Sequence, residues 1–137
     1  MRKCWPLAFA LFAMFIVALV LIANSGHGGR VFGVFESIPH YDKIGHFVLM
    51  GGLSFLAVAA IAPRLRARPR NASTTVVAVV AAVVSLEELS QSQFASRTFS
   101  TADLLFSLVG ILLFGSLAHG VVVRRTRSPD ASWPGSL

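Results

Sequence analysis

The sequence predicts an all-α integral membrane protein, a four-helix bundle with both termini on the cytoplasmic side. Three observations predict it. Hydrophobic residues make up 55% of the 137 and charged residues only 13%, whereas a soluble domain carries about 25% charged residues. The apolar residues gather in four runs, and a helix of about 20 apolar residues crosses a hydrocarbon core. Lysines and arginines bracket those runs unevenly, as the positive-inside rule describes. The net charge of +6 therefore reads as topology. A nucleic-acid surface would carry its basic residues clustered on one face.

The first helix is expected over Trp5 to Ala23, behind Arg2 and Lys3. Ala23-Asn24-Ser25 weakly resembles a cleavage site, but the run exceeds the roughly 7–15 residues of a signal h-region, so a retained anchor is expected. Cys4 is the single cysteine; it has no intramolecular disulfide partner and is expected as a bland, partly buried thiol. An outer loop follows from Asn24 to Asp42, broken by Gly26, Gly28, Gly29 and Gly33.

Pro39 precedes the second helix, Lys43 to Ala62, which stops at Pro63. Its Gly45, Gly52 and Ala59 recur every seven residues, and small residues on one face let helices approach closely in lipid. The loop from Arg64 to Arg70 holds four arginines and belongs in the cytoplasm. The third helix is expected from about Thr74 to Ser90, with small pairs Ala78–Ala82 and Ala81–Ser85 for tight packing. Gln91 to Thr101 forms the second outer loop. The fourth helix runs from Thr101 to Val123, with Ser100 and Asp103 in a capping-box-like pattern. Residues 1–127 make a single transmembrane domain, and residues 128–137 read as a disordered cytoplasmic tail.

Sorted by side, the cytoplasmic cations are Arg2, Lys3, Arg64, Arg66, Arg68, Arg70, Arg124, Arg125 and Arg127; the outer ones are Arg30, Lys43 and Arg97. Of the acids, Glu36, Asp42, Glu87, Glu88 and Asp103 fall outside, leaving Asp130 inside. The orientation thus sets an outer polar cluster apart. Asp42, Lys43 and His46 open the second helix, Glu87, Glu88 and Gln91 close the third, Arg97 lies in the loop, and Asp103 and Ser107 open the fourth. From Thr74 to Glu87 is thirteen residues, about 20 Å of helix, so Glu87 is expected below the surface of a core about 30 Å thick. Ionised residues at such depth are functional candidates. Three- and four-residue spacings place Lys43 with His46, Glu87 and Glu88 with Gln91, and Asp103 with Ser107 on shared faces.

Each residue also has a plain reading. Asp103 would cap its helix and meet the positive dipole end, Lys43 would snorkel to the interface, Arg97 would neutralise a glutamate, and His46 would pack through a hydrogen bond. Together the plain reading weakens, because buried ion pairs add little net stability over apolar packing. His27, His40 and His119 lack such company and read as structural or surface residues.

Several short motifs resemble those of the VanZ-like membrane proteins. Asp42-Lys43-Ile44-Gly45-His46-Phe47 is similar to their "DK-x-x-H-F" start, and Glu88-Leu89-Ser90-Gln91 to their "E-x-x-Q" element. Arg97-Thr98-Phe99 with Asp103-Leu104-Leu105 is similar to "R-t-f…D-l-l", and Gly110 fits the glycine that follows. The resemblance spans about Asp42 to Gly115. Ser107 stands where asparagine is common, Phe114 where a second small residue often lies, and Glu87 is extra to the motif. The resemblance implies a bacterial multi-helix membrane protein whose founding relative is linked to low-level teicoplanin resistance. It implies no established biochemical activity.

Two functions compete at the cluster. In the first, an outer-leaflet polar chamber recognises a lipid or lipid-linked cell-envelope precursor, with Lys43 and Arg97 suited to phosphate. In the second, a membrane enzyme modifies such a lipid, with His46 or Glu88 as general base and the cations stabilising developing charge. No serine–histidine signature or P-loop is present. His46 with Glu87, Glu88 and Asp103 could bind a divalent metal, but no tight ligand spacing such as H-E-x-x-H supports it, so no metal or other cofactor is expected. A transport path is disfavoured by the lack of charge between Leu104 and Val123. The expected location is the cell inner (cytoplasmic) membrane, as a multi-pass protein, with a homo-oligomer left open.

Overall fold

The computed structural model describes residues 4–25, 33–35, 37–65, 67–93 and 99–127. Four α-helices carry the architecture: α1 Cys4–Asn24, α2 Tyr41–Ile61, α3 Pro69–Ser90 and α4 Thr101–Arg127. All four are long and apolar enough to cross a membrane, so the chain is a multi-pass membrane protein. Arg2, Lys3, His27, Arg30, Glu36, Arg66, Arg97 and the tail 128–137 lie outside the described residues.

The lipid environment explains the inverted distribution of side chains. Leu7, Leu11, Met14, Val83, Leu112 and Leu117 are exposed, while Ser54, Ser73, Glu88, Gln91 and Ser107 are buried. Outward leucines match lipid tails, and polar groups turn inward to find partners. Cys4, expected to be partly buried, is exposed at the first position of α1.

Contacts give the helix directions. Trp5 stacks near Phe55 at 6.0 Å and Gly52 faces the Phe12 ring, so α1 and α2 are antiparallel. His46 meets Ser107 and Ser54 donates to the Ile111 carbonyl at 3.0 Å, so α2 and α4 run parallel. Ser73 meets His119 while Glu88 meets Ser100, so α3 and α4 are antiparallel. The start of α1 and the end of α4 therefore share one end of the bundle. α2 packs on each of the other three helices, and its seam with α4 is the most extensive.

That seam depends on close approach. A Cβ on Gly110 would collide with the backbone carbonyl of Phe47, and one on Gly51 would stand 2.8 Å from the Phe114 ring. Phe114 fills the space that Gly51 leaves and meets Phe47 edge-on, 5.6 Å between centroids at 79°, a favoured aromatic geometry. The large residue at 114 is thus matched by a small one opposite. The seven-residue stripe expected on α2 divides differently. Gly52 receives Phe12 of α1, Ala59 is buried, and a Cβ on Gly45 would touch nothing. Of the small pairs on α3, Ala78 and Ala82 face outward and do no packing within the bundle.

Helix bounds differ most for α3, which begins at Pro69 rather than near Thr74. Proline suits the first helical position because its missing N–H has no partner there in any case. The correction lifts Glu87 to eighteen residues from the helix start, about 27 Å. In a core about 30 Å thick, the glutamate pair belongs near the boundary at the end away from the arginine loop, not deep beneath it. At the opposite end Arg64 donates from Nη1 to the Ala60 carbonyl, satisfying an orphan carbonyl where α2 closes.

Candidate functional site

Three helix ends converge at the end of the bundle opposite the chain's arginine loop. α2 enters through Ile38, Pro39 and His40, and His40 adopts a left-handed backbone with φ 57°. The turn is held by Tyr41 N–H donating to Ile38 O at 3.3 Å. It delivers Asp42, Lys43 and His46 to the first two turns of α2.

On α3 the glutamates form a compact network with Gln91. The Gln91 amide donates to both Glu87 oxygens, at 3.2 and 3.0 Å, and to Glu88 Oε2 at 3.1 Å. Glu88 is only 2% exposed. Its other oxygen, Oε1, accepts the Ser100 N–H at 3.2 Å. A carboxylate so buried must be well hydrogen-bonded, and this one is.

Ser100 opens α4 as expected: its hydroxyl accepts the Asp103 N–H at 3.3 Å. In a capping box the residue at position 103 would return the favour to the Ser100 N–H. Glu88, from another helix, occupies that role instead. Asp103 is thereby freed from capping and turns toward α2. Its side chain is 16% exposed, and its Oδ1 is buried without a hydrogen-bond donor among the described residues. Lys43 Nζ stands 3.7 Å from that oxygen, an electrostatic contact too long for a hydrogen bond. Lys43 bonds instead to Asp42 Oδ2 at 2.8 Å. One turn deeper, His46 Nδ1 lies 3.1 Å from Ser107 Oγ, and Ser107 is fully buried.

The structure thus brings together Lys43, His46, Asp103 and Ser107 across α2 and α4, and Glu87, Glu88 and Gln91 at the end of α3. Asp42 stands at the more open rim, 42% exposed. Arg97 belongs to the segment 94–98, outside the described residues. Among the described residues no group of three or more His, Cys, Asp or Glu side chains has metal-binding geometry.

One pairing escaped the sequence reading. His119 Nδ1 lies 3.0 Å from Ser73 Oγ, so His119 has a partner at the arginine end. The α3–α4 register carries the signal. Once Glu88 is placed opposite Ser100 in an antiparallel pair, Ser73 falls near His119.

Comparison with protein-family models, curated proteins and solved structures gives no match.

Proposed function

We propose that the chain is a VanZ-like bacterial membrane protein whose outer polar cluster recognises a lipid or lipid-linked cell-envelope component. The observation that carries this reading is the release of Asp103 from its capping duty. A buried carboxylate oxygen without a donor is costly, and packing that needed only stability would have let Asp103 cap its own helix. A ligand hydroxyl or ammonium group would complete it, while Lys43 beside it would meet an adjoining phosphate. Arg97 would add a bidentate phosphate contact. The cluster sits near the level of lipid headgroups, which supports a lipid-borne partner taken up from the bilayer.

The enzyme alternative now centres on His46 and Ser107, a histidine within reach of a hydroxyl. Ser107 is fully buried in the α2–α4 seam, so its hydroxyl has no approach for a substrate. That favours recognition over acyl transfer. A fluorophosphonate probe tests the point: no labelling of Ser107 is expected, and labelling abolished by His46→Ala would revive the enzyme.

The main test is retention of envelope lipids by the purified full-length protein, read by mass spectrometry. Asp103→Asn and Arg97→Ala should each lower headgroup-dependent retention with the helix content unchanged. Equal retention by wild type and both variants would sink the proposal. The associated reading, an effect on glycopeptide (teicoplanin) tolerance in the bacterial inner membrane, is tested by the susceptibility of cells lacking the chain.

A further inference from the structure

We propose a second lipid site at the arginine end: a groove on α3 that holds an anionic glycerophospholipid, with its phosphate at Arg70 and Asn71 and an acyl chain along Ala78 to Ala82. An open, shallow groove of about 740 Å³ lies along one exposed face of α3, from Arg70 past Thr75 to Ala82. Twelve residues of helix span about 18 Å, close to the half-thickness of a hydrocarbon core about 30 Å across. The groove is therefore one leaflet deep.

Its lining is graded in the way a phospholipid is. At the mouth stand Arg70 and Asn71, then Thr74 and Thr75, and farther in Ala78, Val79 and Ala82. Thr74 already donates to the Arg70 carbonyl at 2.9 Å. Arg70, Asn71 and Thr75 are exposed, and their side-chain donors have no partner among the described residues. A guanidinium suits a phosphate oxygen, and an amide and a hydroxyl suit ester carbonyls. The small side chains of Ala78 and Ala82 leave the depth that a chain would fill.

Charge decides which lipid. No aspartate or glutamate occurs anywhere between Lys43 and Leu86, while the stretch from Arg64 to Arg70 holds four arginines, of which Arg70 lines the groove. Juxtamembrane cations attract anionic headgroups by about 1 kcal/mol each. A second copy of the chain is the other occupant that small residues invite. Parallel pairing of two α3 helices would set both arginine loops side by side, so charge opposes it.

The test uses the full chain in nanodiscs of equal phosphatidylglycerol and phosphatidylethanolamine, followed by native mass spectrometry of the retained lipids. Wild type should retain phosphatidylglycerol in preference. Arg70→Gln should lower that retention about fivefold, the equivalent of one juxtamembrane cation. Ala82→Phe, which fills the groove without changing charge at an exposed position, should lower it as well, with unchanged circular dichroism. Equal retention of the two lipids would overturn the site. So would loss with Arg70→Gln alone, the mark of diffuse surface attraction. A dimer mass removed by Ala82→Phe would assign the face to a second copy instead.

Discussion

The two ends of the bundle each contain a histidine beside a serine, and only one of them resembles a site. At the arginine end His119 and Ser73 lie 3.0 Å apart with no acid in the neighbouring helix turns. At the other end His46 and Ser107 lie 3.1 Å apart, in the same arrangement, but Asp103, Lys43, Asp42 and the Glu87–Glu88–Gln91 network surround them. The shared element is a staple between helices, which in lipid contributes about 0.6 kcal/mol. The difference is the group left over. The pair at the arginine end satisfies itself, while the opposite end holds a carboxylate oxygen with no donor among the described residues. A histidine–serine contact is thus poor grounds for chemistry in this fold, and the surplus charge around it is the better marker.

The largest effect should come from the seam that both ends share. Gly110→Val would drive side-chain atoms into the Phe47 backbone, where even a Cβ has no room. We expect more than about 3 kcal/mol of destabilisation, seen as loss of a monodisperse peak in detergent. Gly45→Ala is the matched control. Nothing lies within 4 Å of its added carbon, and alanine should gain about 0.5–1 kcal/mol in helix propensity. If the two variants behave alike, close α2–α4 contact does not organise the ends.

Next in size is the division of labour between the two carboxylates at the outer end. Glu88→Ala removes the acceptor for the Ser100 N–H and one acceptor for Gln91. It should cost about 1–3 kcal/mol, measured as a lower thermal midpoint. Asp103→Asn keeps the Ser100 cap, because that bond uses the Asp103 backbone N–H. It should shift the midpoint far less while lowering lipid retention. The reverse pattern would make Asp103 the structural acid and Glu88 the recognition residue.

Much of this architecture is legible in the sequence. Hydropathy marks the four helices because a membrane imposes length and composition directly. Arginine placement groups the termini, and three- and four-residue spacings pair Lys43 with His46, Glu88 with Gln91 and Asp103 with Ser107. The missed features are those that depend on which face of a helix meets which neighbour. The small stripe at Gly45, Gly52 and Ala59 pointed to one interface, whereas Gly51 and Gly110 make the decisive seam and Gly52 serves α1. Likewise Ser100-Thr101-Ala102-Asp103 reads locally as a closed capping box. Only the tertiary fold shows Glu88 taking the acid's place. α3 starts at Pro69, five residues before the Thr74 that polarity indicates: Arg70 and Asn71 look like loop, although proline and its successors make a sound first turn.

The inner staple supplies a smaller prediction. Ser73→Ala should cost about 0.6 kcal/mol, without changing retention of a lipid bound at the outer cluster. Ser107→Ala removes the equivalent contact, so its stability cost should be similar. Any additional loss of lipid retention would show that His46 is oriented for recognition. Equal, purely structural effects would leave His46 as a packing residue and narrow the site to Lys43 and Asp103.

The smallest effect concerns the turn that aims Lys43. His40 holds φ 57°, a conformation that disfavours a residue with a Cβ by roughly 1–2 kcal/mol. Its side chain donates no cap to α2, so the histidine gains nothing visible from the strained position. His40→Gly relieves the strain but enlarges the entropy of the unfolded chain, by about 0.5–1 kcal/mol. The net gain should be below about 1 kcal/mol, read as a slightly higher thermal midpoint. The informative result is lipid retention in the same variant. Unchanged retention would mean that Asp42 and Lys43 are positioned by α2 itself. Reduced retention at equal or higher stability would mean that the left-handed residue fixes the entry angle of the helix, and that strain at the outer end is maintained for recognition. No equivalent strained residue occurs among the described residues at the arginine end, so this variant probes only the end that carries the surplus carboxylate.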